Sequence, residues 1–502
     1  MRLTDRVREM LRSFLNIQPA PSATFNITET LDFQGNAFKN AVWFRGDSEE
    51  LSQLYKQLPG KQDSFWASVP SENHGLRKIH TGLPSIIVRV LSDIVLSDLN
   101  EPEINPAGRD TEWKEIAEEN GFDRLLSQAV QKALYLGDGA FKVNFEKELS
   151  ERPILEFCGA DCVEYTQRHG RTVETRFYTE LEHAGRKYQL CEAYGGGYIR
   201  YTLADRITGG VVDLKTLPQT AGLVDLTFDP AVCLAVPFQI FPSAKWPGRG
   251  KSVFEEKTDS FDALDEAWSQ WMDALRTGRA KEYIPSCLIP RNKENGTLLT
   301  PNRFDNRFVE VQAGMSEEGK QPEVKVVQPD IPHESYLSTY ITALDLCMQG
   351  LISPSTLGID VKKLDNAEAQ REKEKATLYT RGAIVDALRE ALPRVIKASL
   401  QMADLQAGNA LADIEASIDF GEYANPSFEA QVETVGKAAT QGIMSIEAAV
   451  DELWGDAKDD DWKQEEVARL KEAQGMMPAE EPFIGAESPD PAKEEGPPGD
   501  AE

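Results

Sequence analysis

Two stretches of the chain carry hydrophobic residues at the seven-residue spacing of a helix that packs against other helices. The first stripe consists of Phe254, Phe261, Leu264, Trp268, Trp271 and Leu275. The second consists of Leu337, Ile341, Leu344, Met348 and Leu351. A narrow apolar stripe of this kind is typical of a helical seam. The spacing therefore predicts two long helices, at residues 254–282 and 331–350.

The segment between the two stripes has a different pattern, with short apolar runs separated by turn residues. Strands are predicted there at residues 283–290, 308–311 and 324–327. The two helices should therefore form a hairpin that carries a small β-rich tip at 283–330.

In the first half of the chain, the apolar residues change from helical spacing to the alternation with polar residues that is typical of strands. Helices are predicted over residues 80–99 and 113–136, and Gly137 follows as a C-terminal cap. Strands are then predicted at 140–145, 172–181, 188–193, 198–203 and 232–241, with a hairpin turn at the three glycines 195–197. The predicted fold class is α+β, with helices before the sheet.

The second half returns to helices. A loop at 351–358 is followed by a segment, 365–377, that has strong helix propensity but no large apolar residue. Apolar spacing resumes from Leu378 to Ile396, and Pro393 predicts a kink. A helix that begins without an apolar face should face water or a channel.

The C-terminal part is predicted to consist of a strand, a group of short helices and a tail. The strand lies at 417–423, and the helices at 426–474 are broken at Gly442 and Gly455. Residues 476–502 contain eight acids, six prolines and a single cation, Lys493. Such a composition predicts a disordered acidic tail.

Charge and length exclude several classes of protein. A chain of 502 residues is expected to hold two to four domains. With 54 basic and 83 acidic residues its formal charge is −29, which argues against tight binding to DNA or an anionic membrane through broad basic patches. Charged residues interrupt both the N-terminal segment and the most apolar stretch, 83–99, so we expect no signal peptide, no membrane span and a soluble protein.

The sequence offers little catalytic or metal-binding chemistry. Residues 248–252, Gly-Arg-Gly-Lys-Ser, lie before a predicted helix, but a phosphate-binding loop needs glycine where Lys245 stands. Cys158 and Cys162 have no second pair at zinc-site spacing, and the six cysteines are too few for a disulfide framework. We therefore expect a helix-entry turn at 248–252, reduced thiols, no metal or cofactor, and no enzymatic activity.

One region departs from the acidic balance. Residues 359–400 carry nine basic and seven acidic side chains, a net charge of +2, so the remaining chain carries about −31. Lys362 and Lys363 are adjacent cations on the predicted loop, directly before the helix without an apolar face. The cations at 371–375 are equally well explained as ordinary pairs on a solvated helix.

The order of these elements resembles the portal protein of tailed bacteriophages, especially long-tailed phages that infect Gram-positive hosts. The similar segments are 351–358 (Leu-Ile-Ser-Pro-Ser-Thr-Leu-Gly), 366–371 (Asn-Ala-Glu-Ala-Gln-Arg), 136–142 (Leu-Gly-Asp-Gly-Ala-Phe-Lys) and 438–445 (Ala-Ala-Thr-Gln-Gly-Ile-Met-Ser). The resemblance covers about residues 25–475. It rests on the order and length of the segments, because none of the motifs is specific alone.

The resemblance implies a ring, typically of twelve subunits, at one vertex of a virion capsid, with double-stranded DNA passing through its channel during packaging and ejection. The implied domains are a wing at 1–253, stem helices at 254–282 and 331–350 around a clip at 283–330, a tunnel loop at 351–366, a long helix with a wing return strand at 367–425, a helical crown at 426–475 and the tail at 476–502. The implied partners are the large terminase, a head-completion adaptor, the major capsid protein and the scaffolding protein.

The resemblance also implies roles for particular residues. Lys362 and Lys363 would contact DNA in the channel without reading its sequence. Neighbouring subunits would pack through the stem residues Phe261, Leu264, Trp268, Trp271, Leu275, Leu337, Ile341, Leu344 and Met348. Two alternatives stay open: a cytosolic assembly scaffold or adaptor without a channel, and a nucleotide-using assembly enzyme that employs 248–252.

Overall fold

The computed structural model describes residues 29–69, 76–285, 288–293, 296, 308–311, 324–359, 367–421, 428–454 and 460–473. The chain divides into two compact units, Met1–Gly421 and Glu422–Glu502. The fold is α+β, as predicted. None of the helices in the described ranges is long and apolar enough to cross a membrane.

Five helices precede the main sheets of the first unit. They are α1 (Phe33–Arg45), α2 (Ser48–Gln57), α3 (Leu83–Leu96), α4 (Arg109–Asn120) and α5 (Phe122–Leu136). The single helix predicted at 113–136 is wrong, because Gly121 takes a left-handed φ of 57° and separates α4 from α5. Both α3 and α5 bury one apolar face in the main core, which explains their helical spacing.

Two antiparallel sheets follow. Their strands are β2 Asp138–Asn144, β3 Ile154–Gly159, β4 Val163–Arg168, β5 Arg171–His183, β6 Arg186–Gly195, β7 Tyr198–Asp205, β8 Val211–Val212, β9 Leu226–Thr227 and β10 Ala235–Gln239. One sheet has the order β10-β2-β3 and the other β4-β5-β6-β7-β8, with β9 paired to β7. The predicted glycine turn is confirmed, since Gly195 pairs with Tyr198 and Gly197 has a φ of 80°.

A buried ion pair locks the junction between α5 and β2. The Arg249 guanidinium donates two hydrogen bonds of 2.9 Å to the fully buried carboxylate of Asp138, and the Gly250 amide donates a third of 2.7 Å. The Ser252 hydroxyl donates to the Tyr135 carbonyl at 2.7 Å. Residues 248–252 thus form a structural turn, here called the clasp, that holds α5 and β2 together. The Gly250 amide already donates its hydrogen bond to Asp138 and is not available to a phosphate.

The predicted hairpin is present between the two apolar stripes. It consists of α6 (Thr258–Thr277), the strands β11 (Lys281–Pro285), β12 (Phe308–Val311) and β13 (Lys325–Val327), and α7 (His333–Met348). The strands form one sheet in the order β12-β11-β13, in which β11 runs parallel to β12 and antiparallel to β13. The first helix begins later than predicted, because Phe254 lies in a turn and packs edge-on against Phe261.

One long helix completes the first unit. Helix α8 (Ala367–Ala407) contains Pro393 and packs against the body through residues such as Leu388, Leu392 and Ile396. The strand predicted at 417–423 is instead β14 (Glu415–Ser417), which pairs antiparallel with β1 (Glu103–Asn105). Beyond it, Phe420 forms only an isolated bridge to Leu99.

The second unit is helical in its described residues. Its helices are α9 (Phe428–Thr440), α10 (Ile446–Trp454) and α11 (Asp460–Ala473). The break predicted at Gly442 is confirmed, because this residue follows α9 with a φ of 70°. Gly455 and the tail predicted at 476–502 lie outside the described residues.

Replacement of Gly250 tests the clasp. A Cβ atom there would lie 2.0 Å from the Gly137 carbonyl oxygen, a backbone atom that cannot move away without displacing the chain. Gly250→Ala should lower the free energy of unfolding by at least about 1–3 kcal/mol in chemical denaturation. The control is Gly222→Ala, because a Cβ there meets nothing within 4 Å. Equal stability of the two variants would contradict the close approach.

Candidate functional site

The hairpin is fixed to the body by carboxylates on one face of α6. Asp265 is fully buried and accepts hydrogen bonds from the Thr81 amide at 2.9 Å and the Trp66 indole at 3.3 Å, while His80 Nδ1 lies 2.7 Å from it. Asp262 accepts from the backbone amides of two residues in the same segment, at 3.0 and 3.2 Å. The body residues 65–66 and 79–81 therefore lie along α6 and hold its direction.

Burial and hydrogen bonding act on the Asp262 carboxylate in opposite directions. Burial raises the pKa of Asp262, and the backbone amides that donate to it oppose that rise by favouring the charged carboxylate.

At the other helix of the hairpin, the Lys257 ammonium donates to the carbonyl oxygens of Leu346 and Gln349 at 2.9 and 2.8 Å. A cation at the C-terminal end of α7 also matches the negative end of the helix dipole.

Aromatic rings form the seam between the two helices. Trp268 contacts Tyr340 with 5.3 Å between ring centroids, and Trp271 stacks on Tyr336 at 6.5 Å with an interplanar angle of 8°. The tyrosines were not predicted as seam residues, although their spacing of four residues places them on one helical face. The two helices thus cover part of each other's apolar stripe within a single chain.

The nine predicted packing residues divide into three groups by exposure. Phe261, Leu264, Leu344 and Met348 are buried in the chain's own core, with at most 4% of their surface exposed. For these four residues the predicted contact with a neighbouring subunit is not supported, because almost none of their side-chain surface is accessible. Trp268, Trp271 and Ile341 are half-buried, and Leu275 and Leu337 are 46% and 44% exposed.

A group of hydroxyls anchors the loop that follows the hairpin. The Thr377 hydroxyl accepts from the Ser353 amide at 2.8 Å, and the Thr380 hydroxyl donates to the Leu351 carbonyl at 2.7 Å. Both threonines are buried, so this part of α8 packs against the loop. Lys362 and Lys363 lie outside the described residues, which end at 359 and resume at 367.

The remaining candidate chemistry has structural explanations. Burial raises the pKa of the Cys158 thiol to about 11 and raises that of Cys162 as well. A thiol that stays protonated at neutral pH is a poor metal ligand and a poor nucleophile. Within the described ranges, no group of three or more His, Cys, Asp or Glu side chains is arranged to hold a metal ion.

No protein family matches the sequence, and no curated protein matches it either. Among solved structures, one similar chain belongs to the neck of an empty GTA particle computed with C6 symmetry; it is 13% identical, has a TM-score of 0.35, and the match covers 75% of this chain and 91% of that one. A chain from the neck of a native GTA particle computed with C12 symmetry is 13% identical with a TM-score of 0.33, covering 79% and 93%. Likeness at this level carries no conclusion about this chain.

Removing the buried carboxylate tests whether it holds the hairpin. Asp265→Ala leaves three hydrogen-bond donors without their acceptor, the buried Trp66 indole and two part-buried groups of Thr81, so the free energy of unfolding should fall by about 3 kcal/mol. Asp259→Ala is the matched control, because Asp259 is 73% exposed and its ion pair with Lys61 should contribute less than about 1 kcal/mol. Similar denaturation midpoints for both variants would rule out this anchoring role.

Proposed function

We propose that the chain is the subunit of a portal-type head–tail connector of a tailed bacteriophage. In this proposal about twelve copies form a closed ring at one capsid vertex, and DNA passes through its channel during packaging and ejection. The observation that carries the proposal is the order of parts after residue 254. Two antiparallel helices of 20 and 16 residues carry a small sheet and lead through an anchored loop into a helix of 41 residues.

The charge of the chain suits a conduit better than a DNA-binding protein. A net charge of −29 on each subunit would repel phosphates from most of the channel wall. DNA could then slide without being held tightly. The few cations that face it, repeated around the ring, would touch the backbone rather than read bases.

The proposal assigns a task to each part of the chain. The body would meet the capsid and scaffolding proteins, and the β tip would meet the terminase during packaging and the adaptor afterwards. The protein would act as a channel and docking platform without catalysing a reaction. It would be made in the host bacterium and remain in the virion.

The mass of the assembled protein tests the proposal. Light scattering of the purified chain should give about twelve times the 55.8 kDa of one subunit, because a portal functions only as a closed ring. A monomer or dimer at micromolar concentration would favour a scaffold without a channel. ATP hydrolysis by the same sample, lost on Lys251→Ala, would favour the nucleotide-using alternative.

The proposed channel lysines can be tested separately from assembly. Lys362→Glu combined with Lys363→Glu should leave the ring intact and reduce the fraction of particles that retain full-length DNA, because each change is repeated about twelve times in the channel. The control replaces Arg186 and Lys187 with Glu, an adjacent and exposed pair that begins β6. Normal packaging and retention by the lysine variant would remove these residues from the proposed channel contacts.

A further inference from the structure

One flank of the hairpin carries a groove with an apolar lining and a basic rim. A cavity of about 410 Å³ lies between the C-terminal half of α6 and the body segment that contains Arg77 and Ile79. Met272 and Leu275 contribute to its lining, and Leu275 is 46% exposed. The exposed residues Arg77 and Arg279 also line it, as do Arg276 and Asp273, which form an ion pair of 2.5 Å with each other.

Another flank, on α7, carries the complementary chemistry. Tyr336 and Tyr340 mark the side of α7 that contacts α6. Glu334, Leu337 and Ile341 recur at intervals of three and four residues and form a separate edge of the helix. Glu334 and Leu337 are exposed, and within the described ranges Glu334 has no ion-pair partner. This edge is therefore acidic and apolar.

The two flanks lie at the same level along the hairpin. The stacking of Trp271 on Tyr336 aligns the two helices near the β tip. Arg279 follows the end of α6, and Glu334 lies in the first turn of α7, so both are at the tip end. Copies related by rotation about an axis parallel to the hairpin keep this level, so the basic groove of one copy can face the acidic edge of the next.

We propose that a second copy of this chain occupies the groove, inserting the edge formed by Glu334, Leu337 and Ile341. Leu337 packs against Leu275 and Met272, and Glu334 lies against Arg279 and Arg77. Because the contact joins two different surfaces, each copy binds the next one in the same way. The assembly is closed only when the last copy binds the first and completes a ring. This inference rests on the proposed ring and names the surfaces that build it.

The assignment also gives a role to the exposed members of the apolar stripes. Leu275 and Leu337 are the exposed members of the predicted stripes, and Ile341, like Trp268 and Trp271, is half-buried. Charge complementarity at the rim sets the register, because like charges facing each other across the contact are strongly unfavourable. The buried stripe residues, in contrast, fix the hairpin to its own body.

Charge reversal with compensation tests the contact. Arg279→Glu or Glu334→Arg alone should raise the subunit concentration needed for ring formation by at least about tenfold, measured by mass photometry at low salt. The double variant should return this concentration to within about threefold of the unaltered protein, since the pair is restored with its signs exchanged. The controls are Lys147→Glu and Glu148→Arg, exposed residues of the loop after β2 that carry the same charge changes.

The outcomes separate this inference from the proposed function. Rings formed equally well by the unaltered protein and by both single variants would overturn the contact while leaving the ring in place. Loss in the single variants without recovery in the double variant would overturn the pairing of Arg279 with Glu334. Failure of the unaltered protein to form rings at any concentration would refute the proposed function and this contact together.

A disulfide provides a second measurement that does not depend on charge. Leu275→Cys and Leu337→Cys, introduced into separate copies and mixed under mild oxidation, should give a cross-linked dimer on a denaturing gel. Neither variant alone should give this product above the background of the native cysteines. Absence of the dimer from mixed samples that contain intact rings would place the contact elsewhere.

Discussion

The orientation of the helical hairpin depends on the buried carboxylate of Asp265. Because the hairpin is long, a small change in the direction of its helices at the base displaces the β tip by a larger distance. Asp265 is placed at this base and accepts hydrogen bonds from Thr81 and Trp66, with His80 beside it. Because a buried carboxylate loses most of its hydration, it is stable only with all of these donors in position. The same bonds that satisfy the charge therefore fix the direction of α6.

The sequence predicted the hairpin because its signals are local. The seven-residue stripes, the polar segment between them and the strand runs at the tip all lie within one stretch of chain, and each was found close to its predicted position. The exposure of individual stripe residues could not be predicted in this way. Phe261 and Leu344 are covered by body segments that are distant in sequence, whereas Leu275 and Leu337 stay 46% and 44% exposed.

The clasp at residues 248–252 shows why local motifs mislead. Its glycines and lysine look like part of a phosphate loop, but Gly250 is required by the close approach of the Gly137 carbonyl, 113 positions earlier in the chain. Arg249 is engaged by Asp138, at a separation of 111 residues. Neither partner can be deduced from spacing, because only the tertiary fold brings α5 and this turn together. Similarly, no local signal shows that Thr377 accepts from the amide of Ser353.

In the proposed ring, further copies cover the apolar and charged surface that the hairpin of a single chain leaves exposed. The most direct test is electron microscopy of the purified protein viewed along the axis of the particle. We expect closed rings of about twelve subunits around an opening wide enough for a DNA duplex. Compact particles without a central opening, or isolated subunits at the concentrations used for assembly, would contradict the account.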